Sequence, residues 1–140
     1  MDNRFEMLSG KKLLVCEDHP INAHILLTLL EKADMTGVLA QDGKQGTELF
    51  SGSAVGEFCA VIMDMVMPEM DGFEATRTIR QLGREDSENV PIIAMSADGS
   101  EEDIKKAFDA GADRFVVKPV DTIKLYEMLC ELLVGRDNSI

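Results

Sequence analysis

Five short apolar runs alternate along this chain with longer segments of helical period. The runs are Lys12–Cys16, Thr36–Ala40, Phe58–Met63, Pro91–Met95 and Arg114–Val117. Between and after them lie five amphipathic stretches. Pro20 stands at a first helical position, and apolar residues then recur at 21, 25, 26, 29 and 30 as far as Lys32. Asp42-Gly43 opens a helix running to about Phe50, and another spans Gly72 to Leu82. Ser100-Glu101-Glu102-Asp103 resembles a capping box, and Gly111 is a stop after Ala110. The last helix starts at Asp121 and reaches about Val134. Alternation of this kind predicts an α/β fold, a parallel sheet with helices on both faces. Strands covered on both faces need continuous apolar runs, and KLLVC, VIM and PIIAM supply them.

Open parallel sheets bind ligands beyond the carboxyl ends of their strands, where the strand order reverses. Those ends are unusually polar here. The first strand leads into Glu17-Asp18, the third into Asp64, the fourth into Ser96 and the fifth into Lys118-Pro119. Asp64 directly follows Val61-Ile62-Met63, and a carboxylate is expensive to bury unless something compensates it. If the first and third strands are neighbours, Glu17, Asp18 and Asp64 converge and repel one another unless a cation joins them. Hard oxygen ligands suit Mg²⁺, which takes few protein carboxylates and keeps room for waters and a phosphate oxygen. Lys118 and Ser96 add donors for that oxygen. The set describes phosphoryl transfer onto a carboxylate, with Asp64 as nucleophile and its neighbours stabilising charge on the phosphoryl group.

These residues resemble the receiver domains of two-component response regulators. The likeness rests on Glu17-Asp18, the stretch from Asp64 through Pro68 to Gly72, Ser96-Ala97 and Lys118-Pro119, and it runs from about Lys11 to Val134. It implies a flavodoxin-like (βα)5 sandwich with strand order 2-1-3-4-5. It implies Asp64 as phosphoacceptor, and Mg²⁺ held by Asp18, by Glu17 through water, by Asp64 and by the Val66 backbone carbonyl. Ser96, Ala97 and Lys118 would hold the phosphoryl group, and Ser96 and Phe115 would form a switch acting on the face of helix 4, strand 5 and helix 5. Val66 and Asp98 would tune hydrolysis. The loop spelling, with Asn22, is most similar to receivers fused to hybrid histidine kinases. The implied partner is a histidine kinase dimerisation domain or a histidine-containing phosphotransfer protein. Such a domain assists its own phosphorylation without being an enzyme. Glu17 departs from the family's commoner Asp, and Ser96 from its commoner Thr.

Composition narrows the alternatives. With 14 basic and 26 acidic residues the net charge is −12, which disfavours direct contact with nucleic acid or anionic membranes. Cys16, Cys59 and Cys130 form no close pair and sit in apolar stretches, as buried hydrophobes in a reducing, cytoplasmic setting do. An aspartyl-phosphate phosphatase of the haloacid-dehalogenase type would carry a second Asp two residues after the nucleophile, where this chain has Val66. A phosphorylation-independent interaction module would not need the full set of Asp18, Asp64, Ser96 and Lys118. A flavin carrier would need a Ser/Thr-rich loop where Glu17-Asp18 stand. Residues 1–10 read as a flexible linker, 11–134 as the domain and 135–140 as a tail. The last helix is more apolar than one buried face requires, which suggests a docking surface and a monomer or weak dimer.

Overall fold

The computed structural model describes residues 3–137, with side chains described for 4–134. Five parallel strands, β1 (Lys12–Cys16), β2 (Thr36–Ala40), β3 (Ala60–Asp64), β4 (Ile92–Ser96) and β5 (Arg114–Val117), lie in the order β2-β1-β3-β4-β5. Five helices follow them in turn: α1 (Pro20–Lys32), α2 (Gly43–Ser51), α3 (Gly72–Arg80), α4 (Glu101–Ala110) and α5 (Thr122–Asp137).

Side chains alternate along each strand between two cores. Leu14, Cys16, Val61, Met63, Ile92 and Ala94 pack with Phe50, Phe73 and Ile79 from α2 and α3. On the other face Leu13, Val15, Ile62, Ile93 and Met95 pack with Leu26, Leu30, Leu125 and Leu129 from α1 and α5. The central strands β3 and β4 are buried throughout, whereas the edge strands β2 and β5 are only partly covered. The helix starts match the sequence signals. Pro20 is the first residue of α1, and Asp42, Asp71 and Ser100 each accept a backbone N–H from the first turn of their helix. Gly111 ends α4 with φ of 117°. Glu69, with φ of 67°, turns the chain before α3.

The reading of residues 1–10 as a flexible linker needs correction. Asn3–Leu8 form a 3-10 helix, Phe5 and Leu8 are buried, and the Phe5 ring meets Tyr126 of α5 edge-on at 5.2 Å. This segment covers part of the apolar excess on α5, which is why that helix carries more apolar residues than the sheet alone would bury. The remainder, Ile123 and Val134, is exposed. α5 runs three residues past Val134, and residues 138–140 of the expected tail lie outside the described residues, as do residues 1 and 2. Cys16 is buried and the other two thiols are half-buried. Burial, with Asp42 adding to it, pushes the Cys16 thiol up to about 12, so it carries no thiolate at neutral pH.

Candidate functional site

Strand register brings the site together. Cys16 pairs with Met63, so Glu17 emerges from β1 level with Asp64. Asp64 pairs with Met95 and Ser96 with Val117, which puts Ser96 and Lys118 one step further along the same rim. The Lys118 N–H donates to the Ser96 carbonyl at 2.9 Å.

After β3 the chain arches and returns within a few residues. The Met65 N–H donates to the Met95 carbonyl at 2.8 Å, and the Gly72 N–H donates back to the Met65 carbonyl at 3.0 Å. A Cβ at position 72 would stand 2.2 Å from the Asp64 carbonyl oxygen, so only glycine lets α3 begin so close to the strand end. Met63, Met65 and Met67 are buried, and Met70 packs partly buried against the same core. The methionines of this loop are therefore packing residues rather than an open docking surface.

Lys118 is the hub of the site's charge. Its Nζ donates to Glu17 Oε1 at 2.8 Å and to Asp64 Oδ2 at 3.0 Å. Glu17 and Asp64 are 1 % and 3 % exposed, whereas Asp18 lies at the open mouth. One carboxylate oxygen from each of Glu17, Asp18 and Asp64 lies within 4.8 Å of the others. The Val66 N–H donates to Asp64 Oδ1 at 3.2 Å, and the His19 N–H donates to Glu17 Oε2 at 3.1 Å.

The two buried carboxyls move in opposite directions. Burial pushes Asp64 up to about 6, with Glu17 adding to the rise and the Val66 N–H and Lys118 opposing it. Burial also acts to raise Glu17, but the Lys118 ammonium and the His19 N–H outweigh it and hold that carboxyl below its ordinary value. Burial would lower Lys118, yet its two carboxylate partners hold it above the usual lysine value. Three carboxylates against one ammonium leave the pocket net negative. Oxygen donors of this kind, two buried and one at the surface, fit a hard divalent cation.

The remaining predicted residues sit around this centre in different states. Ser96 is buried, and its Oγ accepts the Asp98 N–H at 3.2 Å. Asp98 is exposed, and its carboxylate accepts the Ser100 N–H at 3.0 Å, at the entry to α4. Ala97 is exposed at the rim, and Val66 stands outward, 71 % exposed. Phe115 is half-buried and packs toward the core under α3 and α4. The closer partner of Lys118 is Glu17 and not the nucleophile candidate, a pairing the sequence reading did not single out. The signal for it was the lone lysine at the end of β5 facing an acidic pair 101 residues earlier.

A stability test follows from the raised Asp64. A carboxyl whose folded value lies above its unfolded value contributes stability below about pH 4 and loses it as pH rises through about 6. Without divalent metal, Asp64→Asn should therefore be more stable than the parent at pH 7.5, by about 1–2 kcal/mol. The gap should shrink to less than half at pH 4.5. Urea denaturation at the two values checks both the sign and the trend.

Residues 13–130 match the family model described as the response regulator receiver domain. Two curated proteins illustrate the likeness. A hybrid signal transduction histidine kinase of Dictyostelium discoideum is 34 % identical over 121 residues, 85 % of this chain and 7 % of its own length. An autoinducer 2 sensor kinase/phosphatase of Vibrio vulnificus is 37 % identical over 123 residues, 86 % of this chain and 13 % of its own length. The chain thus corresponds to a small part of each. The crystallised receiver domain of a Pseudomonas aeruginosa sensor histidine kinase, with a magnesium ion coordinated in its active site cleft, superposes with a TM-score of 0.81. It is 28 % identical, over 90 % of this chain and 99 % of that one. Fold, site and these likenesses agree: the chain belongs to the response regulator receiver domain family.

Proposed function

We propose that the domain accepts a phosphoryl group on Asp64 within a phosphorelay, with Mg²⁺ as cofactor. The observation that carries this is the Lys118 ammonium bridging Asp64 and Glu17 while Asp18 completes a three-carboxylate pocket. At neutral pH Asp64, with its value near 6, is mainly ionised and so able to attack. One Asp64 oxygen forms the new bond to phosphorus, and the phosphorus–nitrogen bond of a phosphohistidine breaks. The imidazole nitrogen leaves with the electron pair.

Mg²⁺, when bound by Asp18, Asp64, the Val66 carbonyl and Glu17 through water, supplies charge neutralisation for the phosphoryl oxygens. Lys118 moves from bridging two carboxylates to pairing with a phosphoryl oxygen. The Ser96 hydroxyl and the Ala97 N–H, on the rim beside it, donate to another. The Ser96 hydroxyl's shift toward the phosphoryl group vacates space for Phe115 to turn inward, which biases the face formed by α4, β5 and α5. Val66 and Asp98, both exposed at the mouth, control the approach of water and hence the lifetime of the aspartyl phosphate.

The domain is a phosphoacceptor and not itself an enzyme. Curated relatives include a hybrid histidine kinase and a sensor kinase/phosphatase, which supports a place within such a kinase, at its cytoplasmic side, fed by a kinase dimerisation domain or a histidine-containing phosphotransfer protein. No described helix is long and apolar enough to cross a membrane. Beryllofluoride, a mimic of the phosphoryl group, tests the reading without a partner. With Mg²⁺ it should raise the melting temperature of the parent and leave Asp64→Asn unmoved. An equal rise in both would reject Asp64 as the acceptor.

A further inference from the structure

The arch between Asp64 and α3 carries the Val66 carbonyl and stands over the mouth of the site, with Val66, Pro68 and Glu69 exposed. Its inner side rests on the first residue of α2. The Gly43 N–H donates to the Met70 carbonyl at 3.0 Å, and the Met70 N–H donates to the Pro68 carbonyl at 2.8 Å, closing a tight turn. A Cβ at position 43 would lie 2.2 Å from the Met70 carbonyl oxygen, 2.9 Å from its carbon and 3.1 Å from Ala75 Cβ on α3.

Backbone conformation does not demand glycine here. Position 43 lies outside the left-handed region, and glycine costs a helix about 0.5–1 kcal/mol relative to alanine. What excludes a side chain is the arch's own backbone, which cannot swing aside as the end of a flexible side chain can. Asp42 presents this N–H by capping the same turn, its Oδ1 accepting the Gln45 N–H at 2.7 Å.

We infer that Gly43 is a positioning residue for the site. The N-terminus of α2 braces the arch from behind, through one hydrogen bond and direct backbone contact. It thereby fixes where the Val66 carbonyl and the Val66 N–H stand relative to Asp64. The inference rests on the reading of Asp64 as phosphoacceptor. Gly43 touches neither phosphoryl group nor metal, and it acts through Met70. A displacement of the arch by an ångström is enough to spoil metal coordination and in-line approach.

Gly43→Ala tests the brace, with Lys44→Ala, an exposed neighbour on the same turn, as control. Gly43→Ala should weaken Mg²⁺ binding and slow phosphorylation at saturating Mg²⁺, each by about tenfold. The Val66 and Met70 amide signals should shift, while those of β1 and β4 stay in place. Lys44→Ala should change none of these. If Gly43→Ala does not fold, Asp42→Ala carries the test, because loosening the first turn of α2 should move the same readouts in the same direction by less. A folded Gly43→Ala, or in its place Asp42→Ala, with Mg²⁺ affinity and rate within about twofold of the parent overturns the inference, whatever its melting temperature. If the parent itself takes no phosphoryl group, the phosphoacceptor reading fails separately. Mg²⁺ affinity and the Val66 amide then still decide the brace.

Discussion

Lys118→Ala is expected to cost the metal-free protein about 3 kcal/mol at pH 7.5 and to slow phosphoryl uptake at least about a hundredfold. The stability loss follows from what remains. Glu17 and Asp64 are nearly inaccessible to water, and Lys118 is the ammonium that contacts both, 19 % exposed itself. Removing it leaves two like charges buried side by side, which is far worse than losing an exposed ion pair. Both carboxyls should rise, so the deficit should shrink on acidification as they take up protons. Mg²⁺ affinity should change in the opposite sense to activity, increasing because the pocket becomes more negative. A variant that binds Mg²⁺ more tightly yet phosphorylates poorly would separate the lysine's role toward the phosphoryl group from its role in the resting fold. Urea denaturation across pH and Mg²⁺ titration measure the two halves.

Arg84→Ala should be as damaging to the fold and silent at the site. Arg84 lies in the connection between α3 and β4. One guanidinium nitrogen donates to the Phe50, Ser53 and Ser51 carbonyls at 2.7, 2.9 and 3.3 Å. The other two donate to the Asp86 carboxylate at 2.7 and 3.0 Å, and the group stacks over the Phe50 ring at 4.7 Å. Asp86 in turn accepts the Gly56 N–H at 2.9 Å. One side chain therefore closes the C-terminal end of α2 and the loop after it onto a connection more than 30 residues away. Alanine would remove the donor that the Ser51 and Ser53 carbonyls share and the cation paired with Asp86, at about 3 kcal/mol and a fall in melting temperature of about 10 °C. Lysine should not rescue it, because a point charge cannot span the fork of acceptors. Phosphorylation measured well below the melting temperature should stay within about twofold of the parent. A large loss of rate in a folded Arg84→Ala would contradict the division between fold and site.

That arginine marks where the sequence stops being legible. Local signals were strong wherever one element decides its own fate. Pro20, Asp42, Asp71, Ser100 and Gly111 announce helix ends through their own backbone chemistry, and the apolar runs announce strands buried on both faces. The site was legible for a related reason. A parallel sheet puts all its strand ends on one rim, so Glu17, Asp18, Asp64, Ser96 and Lys118 must gather once the strands are placed. What depends on distant partners was not visible. The polar stretch from Gly83 to Asn89 gives no hint that Arg84 reaches back to Phe50. Phe5 and Leu8 sit in a segment too short and too polar on average to read as packed, and the surface that covers them comes from distant residues, Tyr126 of α5 among them. Gly43 looks like half of an ordinary Asp-Gly turn until the Met70 carbonyl is seen against it.

The most direct test of the central claim is an intact-mass spectrum after incubation with Mg²⁺ and a small phosphoryl donor, on the parent and on Asp64→Asn. The account predicts one added phosphoryl group on the parent, absent without Mg²⁺ and absent in the variant. An adduct that persists in Asp64→Asn, or that forms equally well without divalent metal, would contradict it.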